Sequence, residues 1–490
     1  MGDTILVIDE GTTSTRAMLF AADGTCLGSE ARALAQSYPR PGWVEHDAEE
    51  IWEQSLACAR AMVGKAEGAD RVAAIGITNQ RETIVFWSKR THAALAPAIV
   101  WQDRRTADFC AALKARGEEP ALQAKTGLLL DPYFSASKIA WALEHWPQLR
   151  EAGGDLAVGT VESWLVYRLT EGARHVTDAT NASRTALMDI HDGGWDAGLC
   201  DLFGVPIEAL PEIVDCAGRL GETRLLGAPI PICGMAGDQQ AAAIGQACLR
   251  PGETKATYGT GAFILTHTGA RAPVSQSRLL TTLAWQLGGE RRYALEGSVF
   301  TAGSLIQWLR DGLGLVVTAA ETETLARSVA DSAGVRIVPA HAGLGAPHWR
   351  ADARGAITGL SFAAGRAHIV RAALEAMAHQ THDLMAAFAA DGAPWQALRI
   401  DGGMAANDWL AQDMADMLAL PVERPAFVET TALGAAMLAG LGCGMFASLA
   451  EAAAMRGDVR RFEPAMDAAT REGRLAGWRA ALASVLAADR

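Results

Sequence analysis

The feature that most limits what this chain can fold into is a strand–turn–strand pattern that occurs twice, half a chain apart. In VIDEGTTSTR (Val7 to Arg16), an apolar run from Ile5 meets Gly11 and a row of hydroxyls, and strand character resumes over Ala17 to Phe20. Ile5 to Ile8 is too short and too apolar for a surface helix and reads as a buried strand. In TYGTGAFILTHTG (Thr257 to Gly269) the shape returns as strand, Gly-Thr-Gly turn, strand. A glycine permits the tight turn and lets another group approach the backbone closely. Hydroxyls and backbone N–H groups gathered at such a turn can cradle phosphate oxygens. Asp9, at the first strand's end, is placed to hold a divalent cation directly or through water. A polar β-turn with ordinary turn residues is the plain alternative for either fragment. Two such hairpins imply two related lobes facing each other across a cleft, with the break at the Pro251-Gly252 turn. The expected lobes are 1–249 and 250–490.

With 490 residues, half of them apolar, the chain is too long for one core; at about 100–200 residues per domain, two or three are expected. A net charge of −13 excludes a nucleic-acid groove, since nothing gathers Lys and Arg into a basic stripe. The eight cysteines are scattered without a Cys-x-x-Cys pair, which suggests reduced thiols in the cytosol. The chain starts Met1-Gly2-Asp3 and runs into the buried strand, so no export signal is read. The uncharged run Thr430 to Ala450 has the length of a membrane span, but it is mostly Ala and Gly. It reads as a packed buried helix with its terminating loop, and no membrane span is expected.

Between the hairpins lie several polar strand ends. PGWVEHD (Pro41 to Asp47) reads as a loop before a helix from Ala48, in which Ile51, Trp52, Ser55, Leu56 and Ala59 share one face. The strand Val72 to Ile77 ends in TNQRET. Its Arg81-Glu82 pair is either a solvated salt bridge of little worth or part of a site, since α/β folds build sites at strand ends. Ile99 to Asp103 repeats the pattern with Trp101. DPYFSASK (Asp131 to Lys138) is a polar-aromatic loop ahead of a helix through Ile139, Leu143 and Trp146, and VTDATNASRT (Val176 to Thr185) says only loop. ICGMAGDQQAAAIGQACL sets Asp238 in the first turn of a helix whose apolar face is Ala241, Ile244, Gly245 and Cys248. There it either complements the helix dipole or, held on a rigid element, takes a proton from a hydroxyl. Further on, Ala367 to Phe388 is a long amphipathic helix. Leu398 to Ile400 is a short strand running into Gly402 and Gly403, which open a helix with Leu410, Met414 and Met417 on one face.

The strings DEGTTSTR, PGWVEHD, GITNQRET, IVWQDRRT, GLLLDPYFSASK, TDATNASRT, GMAGDQQAA, TYGTG, ALEGSVFTAGSLIQWLRD, GLGAPHW, ARGAITGL and RIDGGMAAN, in this order, carry a resemblance over nearly the whole chain. It is to the glycerol kinase family, within the carbohydrate-kinase group that shares the actin and hexokinase fold. The resemblance implies an α/β protein of two actin-like (ribonuclease H-like) lobes with the nucleotide and substrate cleft between them. It implies transfer from ATP, with Mg²⁺, to the 3-hydroxyl of glycerol, giving sn-glycerol 3-phosphate and ADP. By the same resemblance Arg81, Glu82, Tyr133, Asp238 and Gln239 would bind glycerol hydroxyls, and Trp101 and Phe263 would pack on its carbons. Thr12, Thr13, Ser14, Arg16 and Thr260 would hold ATP phosphates, Gly303, Gln307, Gly403 and Asn407 would line the nucleotide pocket, and Asp9 and Asp238 would position Mg²⁺, with Asp238 also the base. A cytoplasmic homodimer or homotetramer is implied too.

Three positions depart from the family pattern. Glu10 stands where many relatives carry Gln, and its charge would weaken phosphate binding unless it points away. His348 stands where an aromatic is frequent, without expected catalytic consequence. The segment Arg224 to Pro231 is short and lacks the basic Gly-rich loop with which some bacterial relatives bind fructose 1,6-bisphosphate. A kinase for erythritol, xylulose or gluconate would keep both hairpins and Asp238 but change the Arg81, Glu82, Trp101 and Tyr133 set. An actin-fold sensor or scaffold would keep the hairpins and need no base.

Overall fold

The computed structural model describes residues 2–350 and 352–487. Its first sheet contains β1 (Thr4–Glu10), β2 (Ser14–Ala21), β3 (Cys26–Ala33), β4 (Val72–Asn79), β5 (Ala217–Thr223) and β6 (Ile230–Gly237), in the order β5-β6-β4-β1-β2-β3. β1, β2 and β3 form an antiparallel meander, β4 and β6 add in parallel, and β5 is an antiparallel edge. The second sheet contains β7 (Glu253–Tyr258), β8 (Ala262–Gly269), β9 (Leu280–Leu287), β10 (Glu290–Val299), β11 (Ala397–Asp401), β12 (Val422–Pro425) and β13 (Val459–Phe462), in the order β9-β10-β8-β7-β11-β12-β13. Here β7, β8 and β10 are the meander, β11 and β12 the parallel additions and β13 the antiparallel edge, with β9 added outside. The second lobe thus repeats the first, as the paired hairpins imply.

Burial explains the apolar strand runs. In β1, Leu6 and Ile8 pack with α1 (Ala48–Lys65), whereas Ile5 and Val7 face the cluster built on a helix from the far end of the chain, Thr430–Gly442. Because strand side chains alternate, a strand covered on both faces is apolar at every position. In the second lobe, Arg366–Ala390 and Asp408–Leu418 cover the sheet, with Leu410, Met414 and Met417 buried.

The lobes meet where α2 (Asp238–Gly245), which follows β6, crosses the helix Thr430–Gly442, which follows β12. A Cβ on Gly434 would lie 1.8 Å from the Ala241 carbonyl oxygen, and one on Gly245 would lie 2.0 Å from that of Thr430. Only glycine lets the two backbones come this close. The uncharged run is therefore this buried helix followed by a turn, as expected. Among the described residues no helix is long and apolar enough to cross a membrane.

Several local expectations need correction. VTDATNASRT is not a solvated loop: Val176–Asp178 is a strand and Ala179–Ala182 a helical turn, and every residue of the string is buried. Its polar side chains cap that turn, the Asp178 carboxylate accepting the Thr180 and Asn181 backbone N–H groups. PGWVEHD includes a two-residue strand, Glu45–His46, that pairs with Ala94–Ile99 in a separate four-stranded sheet. The helix after DPYF begins at Ser135 and ends at His145, leaving Trp146 as its cap. Leu56 is only half-buried on α1. α2 stops at Gly245, so the buried Cys248 lies beyond it. Gly403–Ala406 is a 3-10 turn, and the helix after it starts at Asp408 with Asn407 as its cap.

Candidate active site

The polar ends of β4 and β6 converge on Arg81. This buried guanidinium is forked onto Glu296 of β10, with Nη1 donating to Oε2 at 2.6 Å and Nη2 to Oε1 at 3.1 Å. Nη1 also donates to Gln240 at 3.2 Å, Nη2 to the Tyr133 hydroxyl at 3.4 Å, and Nε lies 3.2 Å from Asp238 Oδ1. Glu82, in the left-handed region at φ 63°, accepts from Arg184 Nε at 2.6 Å, and Arg184 Nη2 donates to Glu296 at 3.0 Å. Two guanidinia and two carboxylates thus balance inside the protein, and Asp238 adds one further negative charge. Burial alone would raise the Glu296 pKa, but Arg184 and Arg81 outweigh it and hold the carboxyl at about 2. Burial pushes the Tyr133 phenol up, so it stays a neutral donor.

Asp238 is the first residue of α2, and its side chain is a third exposed. The turn before it is fixed by the Gly237 N–H donating to Thr180 Oγ1 at 2.9 Å. Three aromatic rings stand beside this group. Trp101 lies edge-on to Tyr133 with centroids 5.7 Å apart, and to Phe263 of β8 at 6.3 Å. The Trp101 indole N–H donates to Thr12 Oγ1 at 2.9 Å, which ties this cluster to the first hairpin turn. Arg81, Glu82, Trp101, Tyr133, Asp238, Gln239 and Phe263 therefore come together at one place between the lobes.

The first turn closes with the Gly11 N–H donating to the Ser14 carbonyl at 3.0 Å, and Thr12, Thr13 and Ser14 are at least partly exposed. Arg16 pairs with Glu429 of the second lobe at 2.6 Å. Burial raises the Asp9 pKa to about 7; Arg16 opposes this, while Glu429 and Asp238 add to it. Glu10 points away from the turn. Its carboxyl is fully buried beneath α1 and accepts from Ser55 Oγ at 2.7 Å, and burial pushes its pKa up to about 8. Buried against Ser55 and turned away from the turn, it is not placed to repel phosphate.

The second turn, Gly259 to Gly261, rests on the N-terminus of the helix Gly303–Asp311. The Gly303 N–H donates to the Gly259 carbonyl at 2.9 Å, and the Ser304 N–H to that of Thr260 at 3.0 Å. A Cβ on Gly303 would sit 2.5 Å from the Gly259 oxygen. Gly403 is exposed to open space. Asn407 is engaged as a helix cap, accepting from the Leu410 N–H at 3.0 Å and donating to Thr322 at 3.2 Å. Gln307 is exposed, and among the described residues its side chain makes no hydrogen bond. His348 lies 3.9 Å from Asp383, on the second lobe's side. The short segment after Thr223 is a hairpin connection between β5 and β6.

Sequence reasoning left Glu296 and Arg184 without roles, although both lie in strings that carry the resemblance. The available signal was a lone acid inside the apolar strand YALEGSV.

Two actin-like lobes joined at crossed helices, with a hairpin turn from each and a buried polar cluster between them, define the class: the chain belongs to the FGGY family of carbohydrate kinases. Residues 4–245 match that family's N-terminal domain and residues 254–443 its C-terminal domain. Within the family the similarity is to glycerol kinases. The chain is 54% identical to the glycerol kinase of Rhodospirillum centenum over 483 residues, covering 98% of this chain and 97% of that one. It is 54% identical to the glycerol kinase of Methylobacterium nodulans over 491 residues, covering 98% of each. The crystal structure of Plasmodium falciparum glycerol kinase with ADP matches with a TM-score of 0.93 at 36% identity, over 99% of this chain and 98% of that one.

Proposed function

We propose that this kinase transfers the γ-phosphoryl group of ATP in line to the 3-hydroxyl of glycerol, giving sn-glycerol 3-phosphate and ADP. The observation that carries this reading is the buried quartet of Arg81, Arg184, Glu82 and Glu296 with Asp238 at its edge and three aromatic rings beside it. It offers donors and acceptors for hydroxyls together with apolar faces for a short carbon chain. The glycerol kinases at 54% identity support the same acceptor. Arg81, Glu82, Tyr133, Asp238 and Gln239 bind the hydroxyls, and Trp101 and Phe263 pack on the carbons. A hydroxyl oxygen takes the place of the longer Arg81 contacts, those to Tyr133 and Asp238. A small triol paired at every hydroxyl is told from analogues lacking one, because the missing group leaves buried polar atoms unpaired.

Asp238 accepts the proton of the attacking hydroxyl. Thr12, Thr13, Ser14 and Arg16 hold phosphate oxygens from one lobe and Thr260 from the other, while Gly303, Gln307, Gly403 and Asn407 line the nucleotide pocket. Arg16 exchanges Glu429 for phosphate when the nucleotide is present. The lobes 1–249 and 250–490 close on the pair and exclude water, which otherwise competes as acceptor. The donor set fits Mg²⁺: burial pushes Asp9 up to about 7 against the pull of Arg16, and a divalent cation would offset that cost of ionising the carboxyl. Asp9 and Asp238 would hold the ion. Bound there with the nucleotide, Mg²⁺ supplies charge neutralisation on the phosphates. We place the enzyme in the cytoplasm as a homodimer or homotetramer, on the family resemblance and the unpaired cysteines.

ADP release with Mg-ATP, measured against glycerol, dihydroxyacetone, erythritol, xylulose and gluconate with an acceptor-free blank, tests the reading. Strong preference for glycerol is expected. Turnover of a longer acceptor alone would overturn the roles given to Arg81, Glu82, Trp101 and Tyr133, and no acceptor-dependent release would favour a sensor.

A further inference from the structure

Lys255 is fully buried on β7, four residues before the turn that carries Thr260. Its ammonium group donates to the side-chain carbonyl of Gln239 and, at 3.0 Å, to Thr257 Oγ1. Among the described residues no carboxylate forms an ion pair with it. A lysine ammonium has three donors and no acceptor. The atom that Gln239 turns to it must therefore be the carbonyl oxygen, and this settles an amide orientation that is otherwise ambiguous. The carboxamide NH₂ is left facing the other way, and among the described residues it donates to no other group. Gln239 follows directly on Asp238, and its backbone N–H donates to the Asp238 carboxylate at 2.7 Å.

We infer that Lys255 is a positioning residue of the second lobe that fixes the Gln239 carboxamide so that its NH₂ donates to an acceptor hydroxyl oxygen. The inference rests on the polyol site proposed above. The substrate oxygen beside Gln239 then accepts from the amide while its proton goes to Asp238, a pairing that only a hydroxyl fulfils. A flipped amide would present a second acceptor and compete for the same proton. Burial pulls the Lys255 pKa down while Asp401 and Asp238 pull it up. The strand that grips phosphate thus also sets the polarity of the acceptor site 16 residues away in sequence.

The test is a double-mutant cycle of Lys255→Met and Gln239→Ala, joined by Lys255→Gln, which is neutral and retains a donor. Each folded variant is assayed for the KM of glycerol, the KM of ATP and kcat. Lys255→Met should raise the glycerol KM about tenfold, the scale of one lost hydrogen bond to a charged group. It should leave the ATP KM within about twofold and have little further effect in the Gln239→Ala background. Lys255→Gln should restore most of the loss, and it carries the test alone against Gln239→Ala if Lys255→Met does not fold. An unmoved glycerol KM in Lys255→Met, additive effects in the double variant, or a folded Lys255→Gln as weak as Gln239→Ala would each overturn the inference. A wild-type chain that does not turn over glycerol would overturn the underlying reading and this inference with it.

Discussion

The turn between β1 and β2 and the turn between β7 and β8 hold matching places in the two sheets, but they are built from different chemistry. Four residues separate Glu10 from its partner Thr15 in the first, and three separate Tyr258 from Ala262 in the second. The first turn is flanked by Asp9, Glu10 and Arg16, and its Thr12 is tied to Trp101. The second contains no charged group and leans instead on the backbone of Gly303 and Ser304. Where the first lobe buries Glu10, the second buries Tyr258, whose hydroxyl pairs with Thr381 at 2.7 Å. The duplicated backbone sets the two turns in matching places. On the proposed reading the side chains then divide the work: the first lobe would carry the ionic groups and the base, and the second would supply an uncharged cradle. Glu296, Glu429 and Lys255 are exceptions, second-lobe charges that pair with first-lobe side chains.

The sharpest break in this comparison is at Asp238, the first residue of α2, where the matching helix of the second lobe starts at Thr430 with Glu429 as its cap. Asp238→Asn should lower turnover by about 10²–10⁴-fold, the scale of a general base, with the melting temperature little changed. Steady-state rates check it, and near-normal turnover removes Asp238 from the mechanism.

Glu10 and Tyr258 sharpen the comparison through stability. Burial raises Glu10 from 4.5 to about 8, so the folded state binds the proton more tightly than the unfolded state. Between those two values the wild type loses stability as pH rises, and the loss is complete above the folded value. Glu10→Gln should escape it, gaining on the order of 4 kcal/mol relative to wild type by pH 9, at about 1.4 kcal/mol per unit. Urea unfolding at pH 5 and pH 9 reads the difference, and parallel curves would contradict it.

Smaller effects belong to the second turn. Gly303→Ala drives a methyl group toward the Gly259 carbonyl and should raise the ATP KM about tenfold while sparing the glycerol KM, the cost of a modest misplacement of a positioning group. A glycerol effect of equal size would mean that the turns are not functionally separate. Tyr258→Phe should cost about 1 kcal/mol, one buried hydrogen bond, by the same urea measurement. Unlike the Glu10 effect, it should not vary between pH 5 and pH 9.

Much of this was legible in the sequence because the features are local. Gly11, Gly259 and Gly261 announce tight turns, Ile5 to Ile8 a strand covered on both faces, and Asp238 a helix start. The polar cluster was not legible, because its meaning depends on pairing across long separations. Arg81 meets Glu296 215 residues away, and Arg184 meets it 112 residues away. The lone glutamate in YALEGSV marks an unusual buried acid, but neither it nor the arginine in TNASRT names a partner until the fold places one beside it. VTDATNASRT misled for a related reason: its polar groups serve buried caps, and composition alone cannot tell a buried cap from a wet loop. Glu10 carried a charge in the sequence that its burial largely removes.

The acceptor is the central question for this enzyme. Incubating the unaltered chain with Mg-ATP and glycerol, then comparing ADP with sn-glycerol 3-phosphate measured by a stereospecific dehydrogenase, tests it directly. One sn-glycerol 3-phosphate is expected for each ADP, and almost no ADP without glycerol. ADP formed without glycerol, or phosphate placed on another acceptor to the exclusion of glycerol, would contradict it.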